Sequence, residues 1–277
     1  MFEVILTYRI MPELPEVKTI QDQLNAIMPF RIQRCSLSRV ADSIVHTKMD
    51  QLSGHSFREV SRKGKMLDFI LDDGRHLLSH LGMSGGWLIA SEWITTKHTH
   101  VQFTGDSGYL GYVDPRRFGH MYLYDEAQAA AKLAELGHDL LSPEFTARYF
   151  KACLLRYPQR AVKVSLLDQS LFAGTGNYIA NEICAHARVL PHRLVQSLST
   201  REINKLYRAV STVIHGTITR GGVAFGGGYR DTKGDKGTGV QNLVVFYQQE
   251  CQLCQKTPVV KTILGQRGTY HCPRCQK

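Results

Sequence analysis

At 277 residues, with 43% hydrophobic and 21% charged side chains, the chain is long enough for two ordinary apolar cores, and its balance excludes a disordered protein. No apolar run approaches the roughly 20 residues that cross a bilayer. The opening MFEVILTYRI lacks the basic segment and cleavage site of a secretory leader, so the expected compartment is the cytoplasm and no membrane is involved. A net charge of +10 favours a polyanionic partner, because Lys and Arg that neutralise phosphates release condensed counterions; a solvated basic surface is the bland alternative.

From Met11 the chain reads PELPEVKTIQDQLNAIM. Pro15 suits the first turn of a helix, and Glu13 and Glu16 suit the positive end of its dipole. Val17, Ile20, Leu24, Ile27 and Met28 recur at helical spacing and predict an amphipathic helix on a core. Extended segments then run to about Tyr124. LDFIL-DDG-RHLLSHL predicts a hairpin turning at Asp73-Gly74, and VQF-TGDSG-YLGYV predicts another, so the region reads as an antiparallel sandwich or barrel. From about Ala127 the period becomes helical through AQAAAKLAELG, TARYFKACLL, VKVSLLDQSLF, YIANEICAHA and TREINKLYRAVSTVIHGTIT, with a break at Ser142-Pro143. GGVAFGGGYRDTKGDKGTG follows. It reads as a linker, and it is not a nucleotide-binding loop, since no strand delivers it and no helix receives it.

Cys251-Gln-Leu-Cys254 and Cys272-Pro-Arg-Cys275 form C-x2-C-x17-C-x2-C, the spacing of a four-thiolate zinc site. Each C-x2-C turn brings two thiolates to one metal, and four soft ligands close a tetrahedron with no open position, so one structural zinc ion is expected. The absence of a leader argues against disulfides. Between the pairs, TPVVKTILGQRGTYH predicts a β-hairpin with Arg267 at its tip. Eight Lys and Arg against three Asp and Glu after Gly221 carry the basic balance through this end. The remaining Cys35, Cys153 and Cys184 are scattered singly and read as buried small apolar side chains.

PELPEV, HLGMSG, DPRRFG, LLDQSLFAGTGNYIANEIC and the ribbon with QRGTYHC, in this order, resemble the formamidopyrimidine-DNA glycosylase family. The resemblance covers Pro12 to Lys277. It implies an α+β fold: an N-terminal β-sandwich with an N-terminal helix (12–141), a helix–two-turn–helix DNA-binding domain with a lesion-recognition loop (142–240), and a C-terminal β-hairpin zinc ribbon (241–277), with residues 1–11 an extension. It further implies a monomer that holds damaged double-stranded DNA between two domains, extrudes the lesion, excises oxidised purines and cleaves the strand by β,δ-elimination.

Carried over residue by residue, the resemblance makes Pro12 the amine nucleophile, Glu13 the acid/base carboxylate, Glu16 a second carboxylate near the site and Lys65 the hairpin lysine beside the lesion phosphate. Met83, Arg116 and Phe118 fill the space left by the extruded nucleotide. Lys163, Asn177 and Arg267 contact DNA, and the stretch from about Gly226 to Gly239 falls at the base-recognition loop. Read on their own, the acids are helix-start residues, Lys65 a surface charge, and Met83 and Phe118 strand-core residues. One departure matters: Met11, not Met1, precedes the proline, and an acylated proline nitrogen is no nucleophile. The expectation is a start at Met11 or removal of the extension; the alternative is an inactive damaged-DNA-binding protein. A relative specialised for oxidised pyrimidines fits less well, because it fills the void with other residues. A basic zinc-ribbon protein of the ribosome or transcription machinery would not explain PELPEV, DPRRFG and GTGNYIANE together.

Overall fold

The computed structural model describes residues 11–226 and 228–277, so all of the expected extension but Met11 lies outside the described residues. By contacts the chain forms two compact units, the first ending at Ala134 and regaining residues 220–240, the second comprising 135–219 and 241–277. Among the described residues no helix is long and apolar enough to cross a membrane.

The first unit opens with α1 (Leu14–Asn25), whose Leu14, Val17, Ile20 and Leu24 are fully buried. The helix stops at Asn25, where the side-chain amide both donates to the Val60 carbonyl and accepts from the Val60 N–H, each at 2.8 Å. Ile27 and Met28, expected on the helix, therefore lie past its end, partly buried against the same core. Pro29 is a further reason, since it disfavours helical backbone at the residue before it.

Eight antiparallel strands follow: β1 (Phe30–Leu37), β2 (Ser56–Lys63), β3 (Met66–Leu71), β4 (His76–His80), β5 (Gly86–Ala90), β6 (Thr99–Gly105), β7 (Gly108–Val113) and β8 (His120–Tyr124). Their order is β5-β7-β6-β1-β2-β3-β4-β8. Phe30 and Arg31 of β1 pair with β2, and from Ile32 onwards the strand pairs with β6, with a register shift between Ile32 and Arg34. That irregularity lets one strand belong to two layers, which makes the ribbon of strands a sandwich. Its core holds Phe57, Phe69, Trp87 and Phe103, with neighbouring ring centroids near 5 Å for Phe57–Phe69 and Phe69–Trp87. α2 (Glu126–Ala134) completes this stretch of chain.

In the second unit, α3 (Ala147–Leu155) starts at Thr146, whose hydroxyl accepts the Tyr149 N–H. The helix expected over VKVSLLDQSLF is a single turn and a half, α4 (Val162–Leu166). It ends because Asp168 turns the chain, accepting from the Ser170 N–H and hydroxyl and pairing with Arg160. Two residues each of β9 (His138–Asp139) and β10 (Phe172–Ala173) pair in parallel. α5 (Asn177–Ala187) is buried on nearly every side, and α6 (Thr200–Ile218), capped by Ser199 and Glu202, packs along it. The chain ends in the hairpin of β11 (Val260–Leu264) and β12 (Arg267–His271), framed by the two Cys pairs.

Candidate active site and nucleic-acid interface

In the first unit, Pro12 is buried immediately before α1, and Glu13, 2% exposed, is the residue that starts the helix. The Glu16 carboxylate is fully committed. One oxygen accepts the Glu13 N–H at 2.8 Å, the reach-back half of a capping box, and the other accepts the Val223 N–H at 2.6 Å. One side chain thus fastens the helix start to a segment two hundred residues later. Gly222 makes room for this: its φ is +87°, and a Cβ there would stand 2.9 Å from the Glu16 side chain.

Pro12 opens onto a cavity of about 280 Å³, lined among others by Met83, Trp87, Leu88, Thr96, Tyr229 and Arg230. The 228–232 stretch is held firmly. Gln23 on α1 donates to Asp231 at 2.7 Å and accepts from the Thr232 N–H and hydroxyl, while the Thr232 carbonyl accepts the Ile89 N–H of β5. The linker reading of this glycine-rich stretch is therefore replaced: it packs on the sandwich and walls a cavity. Tyr229 is buried, and burial together with the nearby Glu16 charge raises its phenol well above the ordinary value.

HLGMSG is the loop between β4 and β5, and DPRRFG the loop between β7 and β8. The fully buried Asp114 ties them together: it accepts the Ser84 hydroxyl at 2.5 Å, the Arg116 N–H at 3.2 Å and the Gly119 N–H at 2.8 Å. The glycines are steric requirements. Gly82 has φ +61°, and a Cβ there would meet the Phe118 carbonyl oxygen at 2.3 Å; at Gly85 and Gly119 a Cβ would strike the Tyr112 hydroxyl. Out of this frame Phe118 projects 47% exposed, with the Arg116 guanidinium 4.6 Å above its ring. Pro12 and Met83 share the cavity, whereas Arg116 and Phe118 stand beside it on the loop contributing Pro115.

Lys65 occupies the two-residue turn between β2 and β3, after Gly64 with φ +62°. It faces His80, which burial first, then the Lys65 and His120 charges, push down to about 4. The neutral ring accepts the Gly82 N–H at 3.1 Å and so supports the HLGMSG loop. Sequence pattern singles out neither His80 nor Asp114. The one signal for each is its place in a quoted motif, His80 in HLGMSG and Asp114 in DPRRFG.

In the second unit Asn177 begins α5 and donates to the Gly268 carbonyl at 3.1 Å. Arg267 is exposed at the start of β12, beside the Gly265–Gln266 turn, as expected for a hairpin tip. Lys163 departs from the expected DNA contact. It is fully buried, and its ammonium donates to the Gly268 carbonyl at 3.0 Å and the Thr269 hydroxyl at 2.8 Å. A lysine with no exposed surface cannot meet a phosphate directly; here it seats the strand that carries Arg267.

α5 also anchors the C-terminal segment through two buried polar side chains. Asn181 accepts the Tyr270 N–H at 2.7 Å, and Glu182 accepts the N–H groups of Val244, Val245 and Phe246. Sγ of Cys251 lies 4.0 Å from that of Cys275, and Sγ of Cys254 3.9 Å from that of Cys272, with all four within 4.8 Å of one another. Tetrahedral bonds of about 2.3 Å to a shared zinc-sized ion set sulfurs roughly 3.8 Å apart. The cluster is therefore shaped to hold a metal ion. Of the scattered cysteines, Cys153 and Cys184 are buried as expected, whereas Cys35 is half-buried.

These features match known proteins along the chain. The family model described as the formamidopyrimidine-DNA glycosylase N-terminal domain matches residues 11–121, and that of the family's H2TH domain matches residues 136–226. The chain belongs to the formamidopyrimidine-DNA glycosylase family. A formamidopyrimidine-DNA glycosylase of Syntrophomonas wolfei is 36% identical over 96% of this chain and 100% of its own length. The crystal structure of the MutM (Fpg) protein from Thermus thermophilus superposes with a TM-score of 0.84 at 32% identity, covering 96% of this chain and 98% of that one. Lactococcus lactis Fpg in complex with DNA containing an abasic site gives 0.87 at 27% identity, over 96% of this chain and 100% of its own.

Proposed function

We propose that this chain is a base-excision DNA glycosylase with lyase activity, which removes oxidised purines such as 8-oxoguanine and formamidopyrimidines from duplex DNA and acts as a monomer. The observation that carries the reading is the cavity of about 280 Å³ at Pro12, the size of a small-ligand pocket, in a chain of this family. A glycosidic bond is unreachable while its base is stacked, so the lesion must be extruded into such a cavity.

The Pro12 nitrogen attacks C1′ and forms the new C–N bond as the glycosidic bond breaks and the base departs with its electron pair. Glu13 protonates the ring oxygen as the sugar opens to an iminium. The iminium then takes up the electrons released on loss of the C2′ proton, expelling the 3′ phosphate, and a second proton loss, at C4′, expels the 5′ phosphate. The nitrogen must be free of Met11 for this; that the family model begins its match at residue 11 supports such a start. Glu16, with both oxygens bound to backbone N–H groups, holds the cavity wall to the helix. Met83, Arg116 and Phe118 occupy the space the nucleotide vacates, an exchange that offsets the few kcal/mol of unstacking. Lys65, Asn177 and Arg267 hold phosphates, and Lys163 positions Arg267 through the hairpin. Cys251, Cys254, Cys272 and Cys275 hold one zinc ion, which when bound supplies a closed structural site and no chemistry on the substrate.

Borohydride trapping on a duplex with 8-oxoguanine opposite cytosine tests the reading, using protein started at Met1 and at Met11. Trapping from the Met11 start alone, abolished by Pro12→Gly, is expected. No trapping from either start, with the protein folded and zinc-loaded, would leave a damage-binding protein instead.

A further inference from the structure

The second unit carries a charged surface that the proposed chemistry does not use. Two adjoining hollows of about 280 and 430 Å³ lie along α6 and share Lys205 and Arg208. Arg188, at the end of α5, lines the first, and Arg201 lines the second. Among the described residues, no carboxylate stands within 4.0 Å of any of these four cations. The acids nearest in sequence are already engaged: Glu202 pairs with Arg193, and Glu182 receives three backbone N–H groups. His186, the remaining titratable group lining the hollows, is held towards its neutral form by burial.

Charge, shape and position together limit what can sit here. Arg201, Lys205 and Arg208 are spaced i, i+4, i+7, so they share a face of α6 over about 10 Å, the axial span of roughly three phosphates of one strand. Besides the cations the floor offers Thr200, Asn204 and Thr212, with only Ala187 and Ala209 as apolar lining. Arg, Lys, Thr and Asn are the side chains that grip phosphodiester oxygens. A peptide interface would need aromatic or large aliphatic anchors, and none lines these hollows. Arg188 caps α5 in the left-handed conformation (φ +60°) that glycine usually takes there. Asn177 opens α5, so Arg188 lies the whole eleven-residue helix away, about 16 Å along its axis.

We propose that Arg188, Arg201, Lys205 and Arg208 form a second, sequence-independent binding groove for the phosphodiester backbone of duplex DNA, separate from the surface of Asn177 and Arg267. It takes a DNA segment other than the one carrying the lesion, so one chain can touch two segments at once and pass between them. The inference rests on the proposed action on DNA, but its test does not require that a base be excised.

The test compares the full chain with the R201E/K205E/R208E variant and with a milder R201Q/K205Q/R208Q variant, both checked for folding by circular dichroism. The probes are an undamaged duplex and a short lesion duplex, each titrated across salt. The expected result is two undamaged duplexes per wild-type chain at low salt and one per variant. Binding of the second duplex by wild type should fall with salt with a log–log slope of about two to three, and the variants should lack that phase while the first duplex keeps its slope. Trapping on the short lesion duplex should be unchanged. One duplex per wild-type chain, or two still bound by the folded variants, would overturn the groove; loss of lesion trapping in the folded glutamine variant would make it part of the lesion surface. Binding of poly-glutamate in place of DNA would assign it to an acidic protein partner. If wild type traps no lesion yet binds two undamaged duplexes, the excision reading fails and the groove stands.

Discussion

The loops of the first unit and the hairpin of the second each depend on a buried charge, but they use it over very different chain distances. Asp114 gathers the Arg116 and Gly119 N–H groups of its own loop and the Ser84 hydroxyl of one neighbouring loop. Lys163 instead reaches acceptors about 105 residues on, and Glu182 collects donors more than 60 residues on. A local device survives as long as its two loops exist. A long-range one works only if the distant segment is already folded, and there the four cysteines become decisive.

Metal removal should therefore separate the units most sharply. A structural zinc site contributes on the order of 10 kcal/mol or more to folding a small ribbon. Chelation is expected to strip hydrogen-exchange protection from β11 and β12 while the sandwich keeps its own. Protection of the hairpin that persisted without metal would mean that Lys163, Asn181 and Glu182 hold it unaided.

Asp114→Ala comes next. It leaves the Gly119 N–H and the Ser84 hydroxyl without an acceptor, while the Arg116 N–H keeps the Ser84 oxygen, a loss of about 3 kcal/mol read from the denaturant midpoint. Asp114→Asn should cost less, and equal losses would show that charge rather than acceptor count matters. Gly82→Ala should approach the same cost, because it meets both a positive φ and the Phe118 carbonyl.

Lys163→Met and Arg267→Ala sharpen the comparison within the second unit. The first should destabilise the hairpin by about 1–3 kcal/mol yet leave the salt slope of DNA binding unaltered, since the ammonium meets protein oxygens. The second should leave stability alone and lower the slope by about one phosphate's worth. A slope change on Lys163→Met at constant stability would restore the direct contact.

A pH dependence at His80 comes last. Its folded value of about 4 lies below the ordinary 6.5, so the unfolded chain takes up the proton first. Stability from this site is complete above pH 6.5 and is lost as the pH falls towards 4, when the ring can no longer accept the Gly82 N–H. A thermal-melt series over that interval should show an acid limb that His80→Asn flattens.

Much of this architecture was legible in local pattern. The apolar spacing of α1, the Asp73-Gly74 turn, the Cys pairs and the tip position of Arg267 all express periods or turns that act within a few residues. The departures share a cause as well. VKVSLLDQSLF has helical spacing, yet Asp168 bonds to Ser170 and Arg160 and turns the chain instead. Lys163 was expected to contact DNA because nothing nearby in sequence announces the two oxygens that it meets instead.

By itself, then, the sequence determined the sandwich helix and its strands, the thiolate cluster and the motifs HLGMSG and DPRRFG, since hydrophobic period, turn chemistry and ligand spacing are short-range. Only the tertiary structure decided that 228–232 walls a cavity with Pro12 and that Glu16 is bonded at both oxygens. It likewise turned Lys163 inward and left Arg188, Arg201, Lys205 and Arg208 without a carboxylate partner among the described residues. Each of those outcomes depends on which distant groups arrive beside a charge, and burial then makes the pairing obligatory.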